Sequence, residues 1–285
     1  MKSNFHLQSD QELTDEEYDK FQSLIYKLTG ISFNDSNRSS LASRIFDRMR
    51  AAQINNVLSY YDFASGNDEE LKLLMSSITT NLTRFFRTSV HFEALKNFVL
   101  PHILAHKEHF SEKKRIINLW SAGCSTGEET YSLAICMSEW LPEDFNFHIT
   151  ATDISLPSLY TAQEGSYSKE RTQDVPAKLL GKYFTKNKEK YQIKPFLKEH
   201  IVFDYNNLML RTLHKKFDII FCRNVMIYFD QKSQQKLIDN LMAKMKPYSY
   251  LFLGHTESLE SIYGKLPKHI QKTQFVTVYE RDTQS

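Results

Sequence analysis

Three polar clusters in this sequence each follow an apolar run. The first is Ile117-Asn-Leu-Trp-Ser-Ala-Gly-Cys-Ser-Thr-Gly-Glu-Glu129, an apolar strand feeding a small-residue loop and then a helix. Gly123 and Gly127 let the backbone turn sharply and let a ligand approach closely. Their G-x-x-x-G spacing is not the G-x-G-x-x-G of dinucleotide folds, and the Gly-Lys-Ser/Thr of a P-loop is missing. The same glycines would serve a tight turn that binds nothing. The second cluster ends His148-Ile-Thr-Ala-Thr-Asp153. An acid at the carboxyl edge of an open α/β sheet commonly accepts both ribose hydroxyls, which points to an adenosine-containing cofactor. Taken alone, Asp153 would equally suit an N-cap of the following helix. The third cluster is Arg223-Asn224, which closes the apolar run Phe217 to Cys222. Polar side chains at that edge are either site residues or loop caps. A fourth segment, Asn81-Leu-Thr-Arg-Phe-Phe-Arg87, alternates polar groups with two phenylalanines, as a docked linker would.

These residues need a sheet to hold them. From residue 92 onward, strand-like runs (Arg115 to Trp120, Phe147 to Thr152, Phe217 to Cys222, Tyr250 to Leu253) alternate with helical ones (Glu128 to Trp140, Lys232 to Lys246). Such alternation implies a parallel sheet covered on both faces. Phe275 to Tyr279 reads as a late strand pairing antiparallel at the edge. A lysine-rich stretch, 164–200, interrupts the alternation, with short strands at Tyr191 to Ile193 and His200 to Phe203. It reads as a small inserted β-subdomain at about 185–204.

Residues 1–80 read as a separate helical N-terminal domain, joined by a linker at 81–91 to the main domain at 92–285. Its helices run Glu12 to Thr29, Asn37 to Gln53, Val57 to Ala64 and Asp68 to Thr79. Thr14 and Glu17 form a capping-box pair, and Gly30 stops the first helix. Acids load the start of that helix, where the dipole favours them. Arg38, Arg44, Arg48 and Arg50 load the second, with Arg44 and Arg48 on one face. That pattern suits either a solvated face or a basic docking surface.

The formal charge of +2 gives no electrostatic footprint for nucleic acid. Cys124, Cys136 and Cys222 have no zinc or disulfide spacing. No apolar run reaches the roughly 18–20 residues of a membrane span, and the N-terminus lacks a signal-peptide core. A cytoplasmic protein is expected, and nothing suggests an obligate dimer.

The four segments, with Gly254-His-Thr-Glu257 and the run Phe221-Cys-Arg-Asn-Val-Met-Ile-Tyr-Phe-Asp230, resemble the chemotaxis receptor methyltransferase (CheR) family over nearly the whole chain. The resemblance implies a Rossmann-like S-adenosylmethionine-dependent fold. It has a mostly parallel seven-stranded sheet with a terminal antiparallel strand, an all-α N-terminal domain and an inserted β-subdomain. It implies methyl transfer from S-adenosyl-L-methionine to receptor glutamates. By the same resemblance, Asn81, Thr83 and Arg87 reach the cofactor from the linker, and Gly123 belongs to its loop. Glu128 contacts its amino-acid end, Asp153 holds the ribose, and Asn207 and Leu208 lie by the adenine. Arg223 and Asn224 close the pocket, Arg87 and Tyr228 face the methyl group and substrate, and Arg44, Arg48 and Arg50 dock the acidic receptor. Thr130 replaces a proline usual in the family, a change of little consequence near a helix start. Thr185 to Tyr191 lacks the glycine with which some members grip a peptide tethered at the receptor C-terminus.

A glutamate acceptor, with an unperturbed pKa of about 4.3, is already ionised at neutral pH. No metal and no general base are therefore expected, and the enzyme's contribution is positioning. Two other readings remain at this level: a methyltransferase with a different acceptor, and a cofactor-binding module without turnover.

Overall fold

A computed structural model describes residues 12–79, 82–109, 115–210 and 212–282; Asn81 lies outside them. The chain begins with α1 (Asp15–Thr29), α2 (Arg38–Ala52), α3 (Val57–Gly66) and α4 (Asp68–Ile78). Thr14 and Glu17 form the capping box, so the first helix starts at Asp15 rather than Glu12. Gly30 ends α1 in the left-handed region, with its N–H on the Tyr26 carbonyl at 2.8 Å. Asn67 separates α3 from α4, its Oδ1 accepting the N–H groups of Glu69 and Glu70 at 3.0 Å. Phe21, Ile25, Leu41, Ile45, Tyr60 and Leu74 fill the core between these helices, each fully buried. A large apolar side chain buried this way contributes roughly 1.5–3 kcal/mol.

The arginines of α2 build this domain. Arg48 makes two hydrogen bonds to the buried Glu70 of α4, at 2.9 and 2.7 Å. Tyr60 of α3 donates to the same carboxylate at 2.7 Å. Arg44 donates to the Ser77 carbonyl at the end of α4 at 2.9 Å, and Arg38 pairs with Asp15 at 2.7 Å. Arg50 pairs with Asp47 on its own helix. Arg44, Arg48 and Arg50, expected as a docking face, each have a partner within the domain. Arg44 and Arg48 point to partners inside the domain, because Glu70 and the open carbonyl end of α4 need donors. Arg50 is exposed, and Arg44 and Arg48 are half-buried.

After the linker come α5 (Ser89–Ala94), a π-helical stretch at Leu95–Val99, and α6 (Leu100–His109). Then follow β1 (Ile116–Ala122), α7 (Glu128–Trp140), β2 (Asn146–Asp153) and α8 (Leu156–Glu164). The insert contributes β3 (Ser166–Ser168), α9 (Ala177–Tyr183), β4 (Phe184–Asn187) and β5 (Lys190–Ile193). The chain ends with α10 (Pro195–Lys198), β6 (Ile201–Tyr205), β7 (Phe217–Cys222), α11 (Gln231–Met242), β8 (Met245–Leu253), α12 (Leu259–Tyr263), β9 (Ile270–Lys272) and β10 (Val278–Arg281). The main sheet has the order β6-β2-β1-β7-β8-β10-β9. Strands β6, β2, β1, β7 and β8 are mutually parallel, and β10 is antiparallel to both of its neighbours. Period-2 alternation sorts the two faces. Ile117, Leu119, Phe221 and Phe252 pack toward α5, α6 and α7. Trp120, Ile220 and Leu251 pack toward α11 and α12.

Three sequence expectations change here. Ile201–Tyr205 is not part of the insert; it is the edge strand of the main sheet, paired parallel to β2. Its half-buried alternation is what an edge strand shows. The inserted sheet is β3-β5-β4, so the subdomain spans residues 166–193 rather than 185–204. The late strand starts at Val278, because Thr277 takes φ +57 and turns the chain just before it. It is the penultimate strand, with β9 outside it.

The N-terminal domain sits on the carboxyl edge of the sheet. Asn207 donates to the Leu28 carbonyl at 2.6 Å, and Tyr26 donates to Asp230 at 2.9 Å. Ser32 N–H donates to the Tyr228 carbonyl at 3.0 Å. Gly30 lies against Met209 and Phe229, with atoms 2.8 to 3.1 Å from where a Cβ would stand. That close approach, with φ +75, requires glycine.

Candidate active site

The ends of β1, β2 and β7, the linker and the C-terminus of α1 surround one cavity. Its floor is the loop after β1. Gly123 and Cys124 both donate to the Thr152 carbonyl, at 2.8 and 2.9 Å, which folds the loop over the end of β2. Gly123 has φ +82, and Val225 Cγ2 stands 2.6 Å from its missing Cβ. Gly127 has φ +94, with Ala162 Cβ and the Tyr167 hydroxyl each 2.9 Å away. The bare α-carbons are thus required by neighbouring protein as well as by the turn.

Asp153 closes β2 and is nearly buried. Its two oxygens accept the Ser125 N–H at 2.7 Å and the Ser155 N–H at 2.8 Å. Burial pushes this carboxyl above its ordinary range, and the backbone N–H groups offset part of that. Beside it, the buried Ser125 hydroxyl has no hydrogen-bond partner in the protein. A buried polar group of this kind calls for a ligand or water.

The wall after β7 is held from two sides. Arg223 is almost fully buried, and its Nε donates to Glu129 Oε2 at 2.8 Å. Its Nη1 donates to the Arg87 carbonyl at 2.7 Å and lies 3.1 Å from His91 Nδ1. Ser121 donates to the other Glu129 oxygen at 2.8 Å. Arg223 thus ties the linker to the sheet. Asn224 takes φ +59, and the buried Glu257 holds that conformation. Its carboxylate accepts the N–H groups of Asn224, Met226 and Gly254 at 3.0, 2.8 and 2.6 Å. Burial pushes Glu257 up, against these N–H groups.

The linker docks through Phe85, which is fully buried and meets Tyr167 and Phe184 of the insert edge-on at 5.0 and 5.5 Å. Phe86 N–H donates to Ser132 Oγ at 2.9 Å. This places Thr83 and Arg87 on the cavity. Burial, then Arg223 and Arg84, hold Arg87 below the ordinary guanidinium range; a guanidinium stays charged regardless. The roof is the N-terminal domain, through Thr29, Ile31 and Thr79. Tyr228 and Phe229, on the turn after β7, complete the opposite side.

The family description "CheR methyltransferase, SAM binding domain" matches residues 81–276, and "CheR methyltransferase, all-alpha domain" matches residues 16–79. The chain belongs to the CheR methyltransferase family. The chemotaxis protein methyltransferase of Borreliella burgdorferi is 36% identical over 255 residues, covering 87% of this chain and 89% of that one. Chemotaxis protein methyltransferase 2 of Pseudomonas aeruginosa is 33% identical, covering 86% and 87%. That of Vibrio cholerae is 32% identical, covering 88% of each. As a member of this family the chain is a protein-glutamate O-methyltransferase that uses S-adenosyl-L-methionine. The cavity suits that donor, since it pairs a buried carboxylate and an unpartnered hydroxyl with the apolar side chains of Leu208, Met209 and Val225.

Nine of the residues expected at the site (Thr83, Arg87, Gly123, Asp153, Asn207, Leu208, Arg223, Asn224 and Tyr228) line this single cavity. Glu128 does not. Its carboxylate is fully buried and turned toward Arg171 and Thr126, and Glu129 is the member of the pair that faces the cavity. Adjacent residues on a helix point about 100° apart, and the Glu-Glu dipeptide alone does not say which faces in. The sequence reading assigned no role to Ser125, Glu129, His91 or Glu257. Glu257 had a signal, since Gly254-His-Thr-Glu257 was among the matching runs. Among the described residues no cluster of His, Cys, Asp or Glu could hold a metal ion, and no helix is long and apolar enough to cross a membrane.

Proposed function

We propose that this cavity seats S-adenosyl-L-methionine with its ribose on Asp153 and its base by Asn207 and Leu208, and that a receptor glutamate receives the methyl group between Arg87 and Tyr228. The donor supplies a methyl group already activated by a positive sulfur. The acceptor carboxylate, ionised at neutral pH, needs no proton removed. The protein's carboxylates at the cavity are accordingly used for binding and structure, not as bases. Asp153 holds two backbone N–H groups, and Glu129 holds Arg223 and Ser121.

What the residues supply is placement and field. Arg87 and Arg223 both line the cavity, and the Arg223 Nη1 donates to the Arg87 carbonyl at 2.7 Å. A carboxylate approaching from the receptor meets this positive potential before it meets Tyr228. Orientation of two bound reactants is worth roughly 7–11 kcal/mol in favourable cases. The reaction takes place in the cytoplasm, on the signalling helices of chemotaxis receptors. The observation that carries this reading is the convergence of Asp153, Arg87 and Tyr228, from three separate stretches of chain, on one cavity.

The test is incubation of the purified chain with methyl-labelled donor and receptor-containing membranes. Label should appear on the receptor and leave as methanol in mild alkali, as carboxyl methyl esters do. Alkali-stable label, or binding of the donor without transfer, would assign the site to a different acceptor or to a binding module.

A further inference from the structure

The insert reaches under the cofactor loop. Arg171, on the turn after β3, donates from Nε to Glu128 Oε1 at 2.9 Å and from Nη2 to Thr126 Oγ1 at 2.5 Å. Thr126 Oγ1 in turn donates to Glu128 Oε2 at 2.8 Å. The Tyr167 hydroxyl donates to the Thr126 carbonyl at 2.7 Å and lies against the bare α-carbon of Gly127. The Arg171 guanidinium stands 4.9 Å from the Tyr167 ring centre. Thr126 is therefore gripped at its hydroxyl and its carbonyl by two residues of the insert. Its neighbour Ser125 is held at its N–H by Asp153 and presents its unpartnered hydroxyl to the cavity.

We infer that Arg171 is a positioning residue for the methyl-donor loop, acting through Glu128 and Thr126 to fix Ser125 and the start of α7. The inference rests on the reading of the cavity as the donor site. Neither Arg171 nor Glu128 lines the cavity, so their effect on the donor is indirect. The charge logic favours a strong effect. Glu128 has no exposed surface, and its partners are Arg171 and Thr126. Removing the arginine leaves a buried carboxylate without a counter-charge, which is relieved by the loop opening toward water or by the carboxylate taking up a proton, and either change disturbs the Thr126 contact. Removing both charges leaves no such strain. The insert thereby has a duty in donor binding that is separate from any contact it makes with a receptor.

The experiment measures S-adenosyl-L-homocysteine affinity by calorimetry, and steady-state methylation, in Arg171→Met, Glu128→Gln/Arg171→Met and Tyr167→Phe. Binding to the unaltered protein comes first; its absence would overturn the cavity reading itself. Arg171→Met should weaken the product's binding and raise KM for the donor by about 10-fold, equivalent to roughly 1.4 kcal/mol. Its kcat at saturating donor should stay within about 2-fold, because no atom of Arg171 reaches the reacting groups. The double variant should regain most of the lost affinity. A merely structural role would lower Tm and the active fraction while leaving Kd and KM unchanged, and that result in a folded Arg171→Met would overturn the inference. If Arg171→Met does not fold, Tyr167→Phe decides. A smaller rise in Kd supports the clamp, and an unchanged Kd overturns it.

Discussion

Replacing Arg48 by methionine separates a brace from a docking surface. Arg48 and Glu70 make two charge-assisted hydrogen bonds at 2.9 and 2.7 Å, with their side chains 19% and 8% exposed. A pair this buried loses about 3–5 kcal/mol when one partner is removed, because the other charge is stranded. Glu70 would keep the Tyr60 hydroxyl at 2.7 Å, so the low end, about 3 kcal/mol, is expected. In a chain of this size that lowers Tm by roughly 6–12 °C. Scanning calorimetry reads it directly. Arg48→Met/Glu70→Gln should recover part of the loss, and Arg50→Glu, on an exposed pair within α2, should change stability by less than about 1 kcal/mol. A loss below about 1 kcal/mol for Arg48→Met, the range of exposed pairs, with receptor methylation abolished, would rule out the brace and assign Arg48 to the receptor contact.

Three further outcomes are expected. Asp153→Asn puts an NH₂ group against the N–H of Ser125 or Ser155, and should weaken S-adenosyl-L-homocysteine binding by about 10- to 100-fold, the size of a buried donor left unpaired; unchanged calorimetric affinity would remove Asp153 from the site. His91 is held at a pKa of about 4 by burial, Arg223 and His255, below its unfolded value of about 6.5. The unfolded chain therefore binds the proton first, so the stability His91 contributes is complete above about pH 6.5 and is lost as pH falls through about 4. His91→Asn should flatten that part of the Tm-against-pH curve, and identical curves would contradict it. Tyr228→Phe should slow methyl transfer by less than about 100-fold; a larger loss in a folded, product-binding variant would mean that the hydroxyl moves a proton.

The elements that carry the strongest periodicity were legible in the sequence. Glu128–Trp140 and Phe217–Cys222 have the expected bounds, and Thr14, Glu17 and Gly30 cap α1 as their types imply. Pairing was harder to read. Ile201–Tyr205 was legible as a strand but follows a lysine-rich stretch, and its place beside β2 rather than in the insert depends on tertiary contacts. Ser166–Ser168 is polar apart from Tyr167, and only the burial of that ring marks it as a strand. At the site, residues on loops at strand ends were found because their types suit a ligand. The residues that hold those loops were not. Glu257 and Glu129 are charges buried for structural reasons, and a charged residue in a sequence reads as exposed. The inward partners of Arg44 and Arg48 were not legible either, since their acceptors lie more than twenty residues away, on α4. The roof made by Thr29, Ile31 and Thr79 belongs to a domain whose position over the sheet no local pattern specifies.

One cavity, lined by the linker and by the N-terminal domain, is proposed to hold the methyl donor. A crystal structure of the chain with S-adenosyl-L-homocysteine tests it most directly. The product should lie in this cavity with its ribose hydroxyls on Asp153, the Ser125 hydroxyl partnered, and its sulfur on the side of Arg87 and Tyr228. A product bound elsewhere, or one that leaves Asp153 bonded only to the Ser125 and Ser155 backbone, would contradict it.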